Sequence, residues 1–229
     1  MGIRGSCCLL LAAACCLSCS GSSSVFKPAG SYSTSFSLNE NPISEGGHWI
    51  NGRTTGLDWK NVVTSGGNAY GEPSGAGYDD PTAVLTGSWG PDQTAQATVY
   101  STNPTSAYAQ EVELRLRSSI SAHSITGYEI FFRCLKTSDG YVQIARWNGA
   151  RGDFTIIAGP IYGANYGVQD GDVVKATIVG SVIKGYINGV EVISATDGAF
   201  GTGNPGVGFN YGVGSTNVDF GFKDFVATD

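Results

Sequence analysis

The chain has 229 residues, of which 41% are hydrophobic and only 14% charged, with 34 glycines and 8 prolines. That is enough apolar material for one well-buried core, and it excludes a disordered chain or a helical membrane bundle. A formal net charge of −6 argues against nucleic acid as a partner, because a phosphate backbone needs a basic footprint.

Residues 1–20 read as a signal peptide: Arg4 precedes the apolar run CCLLLAAACCL, which is too short to span a membrane, and small residues follow. The sequence LAAAC, ending at Cys15, resembles the bacterial lipobox, in which cleavage leaves a lipid-bearing cysteine. Cys19 is the alternative lipidation position, and plain cleavage after Ser20 competes with both. Residues 21–30, rich in Ser and Gly, suit a tether. The expected product is therefore secreted or held at the cell envelope, with any membrane attachment through that lipid alone. Five of the six cysteines fall in the leader, so Cys134 has no partner for a disulfide within residues 31–229. It lies in an apolar strand and reads as a buried, inert thiol.

From Ser31 onward, apolar and polar residues alternate in short runs separated by turn residues, which predicts strands. SYSTSFSL comes first, then a long irregular region from Asn41 to Pro81 with short strands expected around Trp49, Trp59 and Asn68–Tyr70. Clearer strands follow at Ala83–Thr86, Thr94–Tyr100, Ala109–Arg117, Gly127–Leu135, Tyr141–Trp147 and Phe154–Ala158. The last group is Asp172–Val179, Val182–Ile187, Val190–Ser194, Gly206–Tyr211 and Val218–Ala227. Asp139-Gly140 and Asn188-Gly189 are hairpin signals, because Asn and Gly tolerate the positive φ of a tight turn. No apolar stripe of helical period is long enough for a stable helix. The expected fold is all-β, two packed antiparallel sheets in one domain over residues 31–229, and the expected state is a monomer.

The strand EVELRLR turns Val112, Leu114 and Leu116 to one face and Glu111, Glu113, Arg115 and Arg117 to the other. GYEIFFRCL adds Glu129, Phe131 and Arg133, and YVQIARWNG adds Gln143 and Trp147. If these strands are neighbours, Glu113, Arg115, Arg117, Glu129, Arg133, Gln143 and Trp147 share a partly exposed face. Cross-strand salt bridges on a solvated sheet are one reading. A saccharide platform is the other, since sugar hydroxyls bond to such groups and sugar C–H faces stack on Trp or Tyr.

Taken together, GYEIFFRC…DGYVQIARWNG, DGDVVKATIVGSVIKGYINGVEV and the closing FGFKDFVATD resemble the concanavalin A-like lectin/glucanase superfamily, close to its laminin G-like members. The resemblance spans Ser31 to Asp229 and implies a jelly-roll sandwich whose concave face and rim loops often bind carbohydrate. Retaining glucanases of that superfamily carry an E-x-D-x-x-E strand, which is absent here; Glu113 with Glu129 is the best carboxylate pair from separate strands. Jelly-roll alginate-type lyases use arginines, Gln-x-His and Lys…Tyr. By that resemblance Arg117, Gln143, Lys184 and Tyr186 are catalytic candidates, although Ala145 stands where the His would be.

GYDDP offers Asp79 and Asp80 to a calcium ion, or forms a plain turn before Pro81. His48 and His123 lack a second ligand at metal spacing. No other cofactor is expected. The sequence thus points to an exported protein that binds a polysaccharide or glycan. The alternatives are a polysaccharide-degrading enzyme, lyase before hydrolase, and a structural or adhesive envelope module.

Overall fold

The computed structural model describes residues 1–2, 30–72, 80–211 and 217–229. The leader, with Cys15 and Cys19, and Asp79 lie outside the described residues. The strands in chain order are β1 (Ser31–Thr34), β2 (Trp49–Asn51), β3 (Val62–Ser65), β4 (Asn68–Gly71), β5 (Thr82–Leu85), β6 (Gln93–Ser101), β7 (Gln110–Ser121) and β8 (Ser124–Arg133). They continue as β9 (Tyr141–Gly149), β10 (Phe154–Tyr162), β11 (Val173–Val179), β12 (Val182–Ile187), β13 (Val190–Thr196), β14 (Asn204–Tyr211), β15 (Phe220–Phe222) and β16 (Phe225–Thr228). The helical elements among the described residues are three short 3-10 turns, at Glu45–Gly47, Arg53–Thr55 and Asn217–Asp219.

Two antiparallel sheets pack face to face. The seven-stranded sheet runs β10-β9-β8-β7-β14-β5-β2. The nine-stranded sheet runs β13-β12-β11-β6-β15-β4-β3, with β16 also on β6 and β1 on β16. The alternation read from the sequence decides what lies between them. Val112, Leu114, Leu116, Ile130, Phe132 and Ile144 of the first sheet meet Ala97, Val99, Val174, Ala176, Ile178 and Ile183 of the second, all fully buried. Cys134 belongs to the same core, and burial pushes its thiol well above the usual range, as expected of an inert side chain.

The hairpin at Asn188-Gly189 forms as expected, with φ of 50° and 81° at the two turn residues. Three expectations are corrected. SYSTSFSL stops being a strand at Thr34, because Phe36 adopts a φ of 51° and turns its ring into the core. Trp59 lies outside the strands of its region. Val218–Ala227 is broken into a 3-10 turn and two short strands.

A further departure sits inside β7. Arg117 takes a φ of 46°, and the register with β8 slips there: Leu116 pairs with Tyr128 but Ser119 with Thr126. Two residues thus oppose Gly127 alone, a β-bulge. Gly127 is required at this point. It has a φ of 126°, and a Cβ on it would lie 2.6 Å from the Ser118 Cα.

The bulge removes Arg117 from the face it was expected to share. Its buried guanidinium instead gathers three loop carbonyls: Nε donates to Pro91 (2.6 Å), Nη1 to Phe200 (2.9 Å) and Nη2 to Gly180 (2.7 Å). Arg117→Ala should therefore cost about 2–3 kcal/mol of stability, since charge-assisted bonds are lost and buried carbonyls left unmet. Urea denaturation reads this directly, and a loss below about 0.5 kcal/mol would contradict the role.

Candidate cleft on the seven-stranded sheet

The face of the seven-stranded sheet that points away from the core carries the polar residues singled out in the sequence. Register places them in rows. Gly208, Glu113, Phe131 and Gln143 lie abreast, and Gly206, Arg115, Glu129 and Ala145 form the next row. Trp147 pairs with Gly127 and Phe154 one row further on.

This face is not open, contrary to expectation. Glu113 and Arg115 are fully buried, and Glu129 and Trp147 are nearly so. Alternation says which face a side chain takes, but not whether something covers it. Here Leu57 and Trp59, from the irregular region, pack with Ile125 and Trp147 as a second small core on the outer side. The Trp59 and Trp147 rings meet edge-on at 4.7 Å. Asp80, read in the sequence as a calcium ligand or part of a plain turn before Pro81, is buried and lies 3.8 Å from the Arg115 guanidinium.

Arg115 organises the charges. Its Nη2 donates to Glu113 Oε2 at 2.6 Å and its Nη1 to Glu129 Oε2 at 2.9 Å, while Asp80 Oδ1 lies 3.8 Å from Nη2. Its guanidinium carbon sits 5.4 Å from the Trp59 ring centre, a cation–π contact. Burial works against the arginine's charge, but the Glu129, Glu113 and Asp80 carboxylates outweigh it and hold the guanidinium firmly ionised. Space for the cluster comes from Gly208, where a Cβ would stand 2.1 Å from Glu113 Oε2.

One cation does not neutralise four carboxyls. Glu111, on the same face of β7, accepts from the Tyr141 hydroxyl and the Asn210 amide. Burial pushes its carboxyl up to about 7, with the Glu129 charge adding to the effect and those two bonds opposing it. Asp80 is likewise pushed to about 7, first by burial and then by Glu129. Glu113 lies well above the carboxylate range, from burial and from the Glu129 and Asp80 charges. One oxygen each of Asp80, Glu113 and Glu129 lies within 4.8 Å of the others, a spacing open to a hard cation. Arg115 already serves them as counter-ion.

Over this cluster opens a cleft of about 280 Å³. Its lining combines the polar Asp80, Glu111, Glu129, Asn210 and Gln143 with the apolar Phe131, Ala145, Trp147, Phe154 and Ile156. Phe154 and Ile156 are exposed and the indole of Trp147 packs 5.0 Å from Phe154. Trp147 Nε1 donates to Glu129 Oε2, tying the cleft lining to the charge cluster.

The structure thus gathers Glu113, Arg115, Glu129, Gln143 and Trp147 and separates the rest. Arg133 sits at the edge of the face, its guanidinium bonded to the carbonyls of Asp139, Ser106 and Tyr108. Lys184 and Tyr186 are on β12, in the opposite sheet. Lys184 pairs with Glu191 at 2.8 Å, and Tyr186 stacks under Lys175 at 4.2 Å. The set expected from alginate-type lyases, Arg117, Gln143, Lys184 and Tyr186, is therefore not assembled. His123 pairs with exposed Asp58, and His48 packs against Tyr32. Sequence reading missed Glu111 and Asn210 as cleft residues, and missed Asp80 and Trp59 as partners of Arg115. The signal for Glu111 was its two-residue spacing from Glu113; nothing local marked the other three.

No family model matches the sequence, and no curated protein matches it. Solved structures do. A carbohydrate-binding module, CBM66 from Bacillus subtilis, superposes with a TM-score of 0.52 at 17% identity, over 82% of this chain and 96% of that one. LamAcat from Zobellia galactanivorans gives 0.50 at 11% identity, over 86% and 93%. The Crh5 transglycosylase gives 0.50 at 11%, over 87% and 84%. The fold is the concanavalin A-like jelly roll. In this jelly roll the cleft occupies the outer face of the seven-stranded sheet, and the buried charges lie under its floor.

Proposed function

We propose that this jelly roll is an exported carbohydrate-binding protein that receives a sugar ring in the cleft over Gln143. The observation that carries the reading is the pairing of exposed apolar side chains, Phe154 and Ile156, with the polar groups of Gln143, Asn210 and Glu129 around one small cavity. Sugars need that combination: their C–H faces pack on apolar side chains while their hydroxyls find directed partners. About 280 Å³ lies just below the ~300–1,000 Å³ usual for small-molecule pockets, which suits a single ring. The carbohydrate-binding module among the structural neighbours is consistent with this, and the leader supplies the route outward.

Uronate lyase chemistry is disfavoured, because Arg115, Arg117 and Arg133 are all committed inside the protein. Hydrolysis is the second reading, favoured by one observation: Asp80 lines the cleft beside Glu129 with its carboxyl near 7, the range of a general acid at neutral pH. Release of reducing ends from a retained glycan would select it.

A glycan-array screen tests the binding reading. Gln143→Ala should then weaken any hit about tenfold, because the side chain lines the cleft and is not part of the core. Its melting temperature should stay unchanged. Trp147→Ala is a poor probe, since Trp147 is buried and its loss would unfold the floor. Absence of any glycan hit would leave a structural role and end the proposal.

A further inference from the structure

We infer that the glycan is bound through its interior, as an extended chain laid along β10. One ring enters the cleft, and others of the same chain rest on two aromatic posts, Phe154 and Tyr162. The inference rests on the carbohydrate reading and adds the length and course of the ligand.

β10 is an edge strand of the seven-stranded sheet, paired with β9 alone. Its first and last residues, Phe154 and Tyr162, are aromatic and stand 40% and 59% exposed. Each is backed by the residue opposite it on β9, which is aromatic as well. Trp147 supports Phe154 with 5.0 Å between ring centres, and Tyr141 supports Tyr162 with 5.6 Å. Each supporting ring is in turn tied to a buried acid: Trp147 Nε1 donates to Glu129, and the Tyr141 hydroxyl donates to Glu111. The Arg133 guanidinium adds a cation–π contact to Tyr141 at 5.6 Å. The same construction of exposed ring, supporting ring and anchoring acid therefore occurs twice. A ring already held in place loses little conformational freedom when a sugar stacks on it, which is the condition for a useful aromatic contact.

The spacing sets the size of the ligand. Tyr141, Gln143, Ala145 and Trp147 share one face of β9, and six residues of strand put the two posts about 20 Å apart. That is more than one sugar ring covers, so a single ligand reaches both only as a chain of several rings. Little stands up between the posts. Ile157, Ala158 and Ile161 pack toward the core, and Gly159 lies so close to β9 that a Cβ on it would meet Gln143 Cγ at 3.0 Å. What remains along the path is Ile156, the small Ala145 and the amide of Gln143. Phe131 joins the cleft to the second post, since it lines the cleft and meets Tyr141 edge-on at 6.5 Å. Phe154 belongs to the cleft lining and Tyr162 does not. Recognition of a chain end in the cleft would leave Tyr162 without a role. Two posts on one strand suit a straight glycan of pyranose rings, whose C–H faces can stack on both.

Calorimetric titration of the purified full chain with cellobiose, cellotetraose and cellohexaose tests this. Where the array selects another linear glycan, its own dimer, tetramer and hexamer take their place. The hexamer should bind at least about tenfold tighter than the dimer, the gain of one added stacking contact. Tyr162→Ala should remove most of that advantage, and Tyr162→Phe, which keeps the ring, should retain it. Both variants should melt with the parent protein, because Tyr162 is largely exposed. A hexamer blocked at both ends should bind as well as the free one. Equal affinity for dimer and hexamer, an advantage that survives Tyr162→Ala, or loss of binding on blocking the ends would each overturn the extended chain while leaving the carbohydrate reading intact. If no saccharide binds, both fall.

Discussion

Arg115→Met should destabilise the protein by about 3–5 kcal/mol. The arginine is fully buried and holds Glu113 and Glu129, themselves buried, at 2.6 and 2.9 Å. Methionine fills much of the volume, so the loss isolates the charge. Two carboxylates then remain without a counter-ion, and the fold tolerates them only by binding further protons. Adding Glu113→Gln should recover part of the loss, because it removes one of the stranded charges. Guanidinium denaturation of both variants decides the matter. A single-variant loss below about 1 kcal/mol would mean that water reaches the cluster and that Arg115 is not its keystone.

The second large effect is in the pH profile. Glu111 and Asp80 have folded-state values near 7, above those of the unfolded chain. For such groups the folded state binds more protons than the unfolded one between about pH 4.5 and pH 7. Stability therefore falls as pH rises through that window, by up to about 1.4 kcal/mol per unit for each group. For Glu111 alone the whole effect is about 3 kcal/mol. The melting temperature should climb on acidification from pH 7.5 to about 5, opposite to the behaviour of a protein held by exposed ion pairs. Below about pH 4 it should turn down, because Asp170 is depressed by its bond to Lys223, and Asp197 by the Ala199 N–H, Tyr128 and Arg146, and both lose those interactions on protonation. Glu111→Gln should flatten the slope between pH 5 and 7. A melting temperature that only falls below pH 7 would contradict the burial of these acids.

The strands and the hairpin at Asn188-Gly189 were legible because period-two alternation is a local property. The pairing of β7, β8 and β9 entered the sequence reading only as a condition, and the register of the folded sheet meets it. Arg117 was misplaced because nothing in LRLRSS announces a positive φ at a non-glycine residue. Asp80 and Trp59 were not connected to Arg115 because their contacts are long-range in sequence, and the covering of a sheet face depends on such contacts. The strand EVELR did contain a hint. An arginine two residues after two spaced acids, opposite Glu129, is better explained by mutual neutralisation in a buried place than by a solvated surface.

Gly208 has an implication for how this sequence can vary. With only 2.1 Å between its absent Cβ and Glu113 Oε2, a side chain there would occupy the volume that the carboxylate uses. Positions 113, 115, 129 and 208 are thus sterically and electrostatically coupled. Replacing the ionic cluster first leaves a hole beside residue 208, and enlarging residue 208 first drives its side chain into Glu113. Neither order offers a comfortable intermediate, which isolates this floor from the gradual substitution available to the exposed strands around it.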